Sequence, residues 1–343
     1  MSTVETIPFL WTPAYLQSIQ FRHDTSGMAS TRTIISNNSS ARLSTPPPGI
    51  IFKFPVGIDL PQGPPDGSLF AGSFDLLMDI RVPVTIATVY ATCVHILNRS
   101  RGPGTQPARF ARTTLFKWLV NAHNLFLCVY SAWTCFGMTG SLVRTVIETS
   151  ATHARGSSSF WRGLCSLNEG IWGHGLNYYG FLFYLSKFYE VLDTVIILAK
   201  GKRSSLLQTY HHAGAMLSMW AGIRFASPPI WIFVVFNSLI HTLMYFYYTL
   251  SGLNIKVPKA VKRALTTAQI CQFVLGGSLA LAHFFIYYFD PGLEQYTSCL
   301  VNPGQTFALW FNVLYLAPLT YLFIGFWIDS YVLGRKTVLP RDQ

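Results

Sequence analysis

From about residue 75 onward the chain alternates long apolar runs with short polar connectors. Runs of roughly 20 apolar residues are long enough to span a bilayer as helices. They predict helices at about 76–97, 114–138, 177–199, 207–225, 229–251, 265–289 and 306–332, with natural breaks at Pro228 and Pro229 and at Ser251 and Gly252. The expected fold class is therefore all-α, a polytopic membrane protein of seven transmembrane helices. Residues 1–74 differ: they are rich in Ser, Thr, Pro and Gly, with Pro46, Pro47, Pro48, Pro61, Pro64 and Pro65 as rigid punctuation. Such composition reads as an irregular tail. The expected organisation is a tail over 1–74, a seven-helix domain over 75–335 and a short C-terminal tail over 336–343. The apolar stretch around Leu10 and Trp11 is too short for a signal peptide, so insertion should rely on the first membrane helix.

Charge sets the orientation. Only 11% of the 343 residues are charged, yet the balance is 25 basic to 14 acidic, or +11. Half the residues are apolar and mean hydropathy is +0.34, so there is little soluble surface for nucleic acid to bind. An anionic lipid surface or an anionic substrate fits the excess better. Four segments hold 15 basic residues and one acidic residue, Asp342, against 10 and 13 elsewhere. They contain Arg99 to Lys117, then Lys200, Lys202 and Arg203, then Lys256, Lys259, Lys262 and Arg263, and finally Arg335, Lys336 and Arg341. With seven spans all four fall on one side, which the positive-inside rule makes cytosolic. The N-terminus is then on the far side, where Asn37 and Asn38 begin overlapping glycosylation sequons. Cys165 and Cys299 fall in loops of that side, where an oxidising lumen permits a disulfide. Cys93, Cys128, Cys135 and Cys271 fall in spans and read as packing residues.

Polar groups inside spans are costly, so they are the informative positions. Lys187, Glu190, Asp193 and Thr194 recur at helical steps on one face of the third span. Lys187 and Glu190 can form a buried ion pair that fixes packing. Asp193 has no cation one turn further on and is better placed to polarise a partner. Gln208, His211 and His212 open the fourth span. Asn237 and His241 stand at i, i+4 in the fifth, followed by Tyr245, Tyr247 and Tyr248. Gln269 and Gln272 open the sixth, and His123 and Asn124 in the second can join them. The predicted topology brings all of these to the cytosolic half of one bundle. His23, His95, His153, His174 and His283 read as structural. Histidine clusters also bind iron or zinc, but the ligand supply here is thin, so no metal site is assigned. Two imidazoles without a metal can act as nucleophile and general base.

In this order, the blocks at Lys187–Thr194, Tyr210–His212, Asn237–Tyr245 and Thr267–Phe273 resemble the signatures of the ELO family, the very-long-chain fatty-acid elongases of the endoplasmic reticulum. His123 and Asn124 also look like family features, and the resemblance covers roughly residues 75–335. It implies a seven-span 3-oxoacyl-CoA synthase in which six helices surround an acyl tunnel. That enzyme joins malonyl-CoA to a long-chain acyl-CoA, with loss of carbon dioxide and CoA, through an acyl group held on histidine. No cofactor is implied beyond the CoA thioesters themselves. Partners by resemblance are the reductases and dehydratase of the elongation cycle, and a homo-oligomer is open to such a protein. Gln208 stands where the family's histidine box has its first histidine, a departure that makes a three-histidine metal site less tenable. The roles expected are His211 as nucleophile, His241 in proton transfer with Asn237 orienting it, and Asp193 and His212 fixing imidazole position. Gln269 and Gln272 would hold the thioester carbonyl or malonyl carboxylate. Lys202, Arg203, Lys259, Lys262 and Arg263, with Arg335 and Lys336, would meet the CoA phosphates. A seven-helix receptor, a transporter and a metal-dependent desaturase or hydroxylase are the competing readings.

Overall fold

The computed structural model describes residues 52, 55–102, 104–152, 157–167, 169–291 and 293–334, with the backbone of two paired two-residue strands, β1 (Glu5–Thr6) and β2 (Gln20–Phe21). The expected glycosylation sites Asn37 and Asn38, and the tail residues Arg335 and Lys336, lie outside the described residues. In chain order come α1 (Phe74–Leu77), α2 (Arg81–Arg99), α3 (Thr114–Thr152), α4 (Ser157–Cys165), a π-helical segment (Trp172–Gly180), α5 (Phe181–Tyr189), α6 (Val191–Ala199), α7 (Leu206–Arg224), α8 (Ile230–Gly252) and α9 (Lys259–Ala282). A hairpin of β3 (Tyr287–Asp290) and β4 (Gln295–Ser298) precedes α10 (Pro303–Trp327), which runs on as a π turn over Ile328–Val332.

The protein is mostly helical, and each apolar run forms helix, but not always one helix. Among the described residues, four helices are long and apolar enough to cross a membrane alone: Thr114–Ala151, Ile230–Gly252, Lys259–Phe285 and Pro303–Val332. A fifth arises if Ala71–Leu77 and Arg81–Arg99, bent by 73°, count as one. The run at 177–199 is split into the π segment, α5 and α6. At Glu190 the ladder tightens, because the Asp193 N–H bonds to the Glu190 carbonyl at 3.0 Å, an i→i−3 link. In α7, polar residues replace apolar ones along the first turns.

Two expected boundaries are corrected. The second helix extends past 138 to Thr152, because its Ser and Thr hydroxyls donate back to carbonyls one turn earlier (Thr145 to Ser141 and Thr149 to Thr145, each 2.8 Å) and satisfy themselves inside the helix. The sixth stops at Ala282 instead of 289, since the aromatic run Tyr287–Phe289 before Pro291 pairs with β4 instead. Aromatic residues suit a pleated, half-buried surface. The expectation of an all-α fold is corrected to that extent.

Helix packing runs α3–α8–α9–α10–α7–α5 and returns through the π segment to α3, so six helical units close a ring, with α2 outside against α7. Close approach of the π segment to α3 needs glycine. Gly175 has φ 155°, and a Cβ there would lie 2.2 Å from Ser141 Oγ. Caps place the helix starts. Ser205 accepts from the Gln208 N–H at the start of α7, and Asn302 accepts from the Gln305 N–H ahead of Pro303 in α10.

One end of the ring is closed. Cys165, at the end of α4, is disulfide-bonded to Cys299 after β4, with Cα atoms 4.8 Å apart. Residues 55–78 form a strap across the same end. Arg224 donates to the Ile58 and Asp59 carbonyls, Trp172 Nε1 to Gln62 O, Asn177 Nδ2 to Gly63 O, Tyr184 OH to Leu77 O and Trp220 Nε1 to Met78 O. The last part of the expected irregular tail is thus bound to the bundle. The disulfide closes a span of 134 residues, a length for which cross-linking is worth about 2–5 kcal/mol. Cys165→Ser should therefore lower the thermal midpoint of the purified protein by several degrees. It should also abolish the mobility difference between reduced and non-reduced wild type on a denaturing gel.

Candidate active site

The site grows from the face of α5 and α6 that points into the ring. Lys187 and Glu190 are both 2% exposed. Lys187 Nζ donates to Glu190 Oε1 at 2.7 Å and to Asn237 Oδ1 at 3.0 Å, and lies 3.9 Å from the Phe183 ring centroid. Glu190 Oε1 also accepts from Ser186 Oγ at 3.0 Å and lies 3.7 Å from His241 Nδ1. Glu190 Oε2 is buried with no hydrogen-bond partner among the described residues. A carboxylate with one oxygen so heavily engaged holds its neighbours in place and aims residual negative charge at His241.

One turn on, Asp193 accepts from His123 Nε2 at 2.8 Å through one oxygen and from Tyr245 OH at 2.6 Å through the other. Because a carboxylate only accepts, the His123 proton is on Nε2, and Nδ1 faces Tyr189 OH at 3.3 Å. The expected contact of Asp193 with the α7 and α8 imidazoles is corrected: it reaches them through Tyr245, whose ring packs edge-on to His241 at 5.6 Å. Asn237, expected to orient His241, accepts from Lys187 instead.

At the start of α7, Gln208 Nε2 donates to His212 Nε2 at 2.8 Å and to Thr194 Oγ1 at 3.4 Å, and Thr194 shares a 2.9 Å hydrogen bond with Tyr90 OH. An amide nitrogen cannot accept, so His212 carries its proton on Nδ1. The His211 ring lies 5.2 Å from that of His212 and 6.4 Å from that of His241. Its ring nitrogens have no hydrogen-bond partner among the described residues. The backbone behind it is pinned by Tyr315 OH, which donates to the His211 carbonyl at 3.0 Å.

Two cavities meet here. The larger, about 700 Å³, opens toward the loops after α6 and α8 and is lined by Asp193, Gln208, His212, His241, Gln269 and Lys262, among others. The smaller, about 50 Å³, runs from Lys187 into an apolar wall of Phe183, Met219, Phe233 and Leu316. His211, Asn237, Gln272 and Phe273 border both. Of the basic residues expected at the mouth, Lys262 lines the larger cavity, whereas Lys202, Arg203, Lys259 and Arg263 line neither. Arg203 Nε instead donates to the Arg101 carbonyl. Lys200, read from sequence only as a topology charge, lines the larger cavity. Tyr90 and Tyr315 carried no sequence signal, since a tyrosine in an apolar run looks like any packing residue. Among the described residues no group of three or more His, Cys, Asp or Glu side chains is arranged to hold a metal ion.

Residues 75–338 match the profile of the ELO: GNS1/SUR4 family. The chain belongs to this family. Every residue of the site falls inside the matched region. The chain is 27% identical over 239 residues to fatty acid elongase 2 of Trypanosoma brucei brucei, covering 69% of this chain and 84% of that protein. It is 29% identical over 212 residues to fatty acid elongase A of Dictyostelium discoideum, covering 61% and 70%. It is 33% identical over 165 residues to very long chain fatty acid elongase 1 of Mus musculus, covering 47% and 54%.

The buried ion pair of the site carries the cost of buried charge. Removing one member of a buried ion pair costs about 3–5 kcal/mol, whereas replacing both by similar-sized neutral groups is far milder. Lys187→Met should therefore destabilise the protein severely, and Lys187→Met with Glu190→Gln should recover much of the loss in a thermal unfolding assay.

Proposed function

We propose that the protein is the condensing enzyme of fatty-acid elongation. It joins malonyl-CoA to a fatty acyl-CoA and releases a 3-oxoacyl-CoA two carbons longer. The observation that carries this reading is the position of His211, an unencumbered imidazole at the junction of a wide polar cavity and a narrow apolar one. That junction suits a molecule with an anionic, hydrated head and an apolar tail. The names of the relatives, all elongases, point the same way.

The chemistry follows in two steps. His211 attacks the thioester carbonyl, the carbon–sulfur bond breaks, and CoA leaves as a thiolate that takes up a proton. The acyl group is then an acyl-imidazole, activated toward carbon nucleophiles. Malonyl-CoA loses carbon dioxide to give an enolate, which attacks the acyl carbonyl. A carbon–carbon bond forms and the bond to His211 breaks. His241, backed by Glu190, moves the proton. Gln269 and Gln272 donate to the carbonyl and carboxylate oxygens, and the Gln208–His212 pair holds the α7 imidazoles in register. Asp193 acts through Tyr245 and His123. Lys200 and Lys262 meet the phosphates at the mouth.

In the membrane we assign seven spans, counting the bent α1–α2 pair, the broken segment from Trp172 to Ala199, and α7. The open cavity faces the cytosol with the C-terminus. The strap and disulfide face the lumen of the endoplasmic reticulum with the N-terminus, a placement that agrees with the charge pattern and with a cystine at that end.

Incubating the purified protein with acyl-CoA and radiolabelled malonyl-CoA should yield 3-oxoacyl-CoA. No condensation across a range of chain lengths would refute the reading. With acyl-CoA alone, intact mass should show an acyl adduct that disappears in His211→Ala, and His241→Ala should slow turnover by about 10²–10⁴-fold. An adduct that persists in His211→Ala would move the nucleophile elsewhere. Lys200→Ala with Lys262→Ala should raise KM for malonyl-CoA about tenfold and flatten its salt dependence with little change in kcat.

A further inference from the structure

The lining of the apolar cavity stops at Met219 on α7, Phe233 on α8 and Phe183 on α5. On α7 the residues that face it are His211, Ala215, Ser218 and Met219, spaced at helical steps on one face. The next residue on that face is Gly222. The space its side chain would fill is taken by Ile230, whose Cδ1 would lie 2.3 Å from a Cβ at that position. Ile230 is itself the next residue, one turn before Phe233, on the cavity-facing side of α8, and it is 1% exposed. The same happens where the π segment meets α5: one turn before Phe183 comes Gly180, against which the fully buried Ile223 packs, its Cδ1 2.9 Å from where a Cβ would stand. The continuations from α7, α8 and α5 thus interlock in one layer. Above that layer Ser218 Oγ donates to Asn312 Oδ1 at 3.0 Å and Asn312 Nδ2 to the Ser218 carbonyl at 3.2 Å, which pins α7 to α10. Beyond it, the strap is held to α7 by Arg224, which donates to the Ile58 and Asp59 carbonyls.

From this geometry we infer that Ile230, seated on Gly222, is the floor that sets the length of acyl chain the protein accepts, and that the accepted chains are of medium length, about twelve carbons. The inference rests on the acyl-CoA reading above. Eleven residues separate His211 from Gly222, roughly 16 Å of helix. With carbon–carbon bonds of about 1.5 Å, an extended chain advances roughly 1.25 Å per carbon, so about twelve carbons reach the floor from the imidazole. Longer chains meet packed side chains and, behind them, the strap. This is shorter than the very long chains that the family resemblance implies.

The test uses the full-length protein in detergent and non-hydrolysable acyl-CoA thioethers of 4 to 20 carbons, read by thermal stabilisation and titration. Each added methylene should tighten binding roughly fourfold until about twelve carbons, after which affinity should level off or fall. In Ile230→Ala the break should move up by two to four carbons. In Ala215→Leu, which narrows the cavity one turn below His211, it should move down by about six. Affinity that keeps rising to 18 or 20 carbons in wild type would overturn the inference, as would an unmoved break in a folded Ile230→Ala variant. The elongation profile with malonyl-CoA should show the same break. A break in thioether binding without any condensation product would sustain the floor and overturn the condensing reading instead.

Discussion

Lys187 and Glu190 are each only 2% exposed, and the rest of the site is arranged around making that burial tolerable. An isolated charge in such a place is prohibitively costly, and a pair is tolerable only with good geometry and further hydrogen bonds. Those bonds come from Ser186 one turn back and from Asn237 on α8. The consequence is that α5 and α8 must stand at one separation and in one register. His241, one turn after Asn237, is then carried to the carboxylate at the break between α5 and α6. A single ion pair thereby positions residues from two helices that share no sequence neighbourhood.

The two ends of the ring differ in how they are closed. One end is closed by a disulfide, a β-hairpin, interlocked isoleucines on glycines, and five side chains holding the strap by its carbonyls. At the other end the helices leave a cavity of about 700 Å³ whose polar lining is incompletely paired. This asymmetry suits a reaction on a water-soluble head with an insoluble tail. The closed end provides a boundary for the tail, and the open end admits the head. The polar residues between them are kept from collapsing onto one another because their partners are already assigned: Gln208 to His212, and Asp193 to His123 and Tyr245.

Much of this was legible in the chain itself. Apolar runs marked every helical unit of the ring, because the requirement for a continuous apolar stretch is local and one-dimensional. Costly polar residues in those runs singled out His211, His212, His241, Lys187, Glu190 and Asp193, because a polar group in an apolar segment needs a partner or a task. Charge bias among the connectors assigned Lys200 and Lys262 to one face. Pairing was another matter. That Asp193 serves His123 and Tyr245, that Asn237 serves Lys187, and that Arg203 turns away from the cavity to a carbonyl all depend on distances between helices. Residues far apart in sequence meet there, and no periodicity encodes which meets which. The same holds for the breaks that divide the run at 177–199, which reads as one helix along the chain, and for the floor. Gly222 and Ile230 are ordinary residues on paper. Only the close packing of α7 against α8 puts the side chain of one into the space left by the other and so gives the cavity its end.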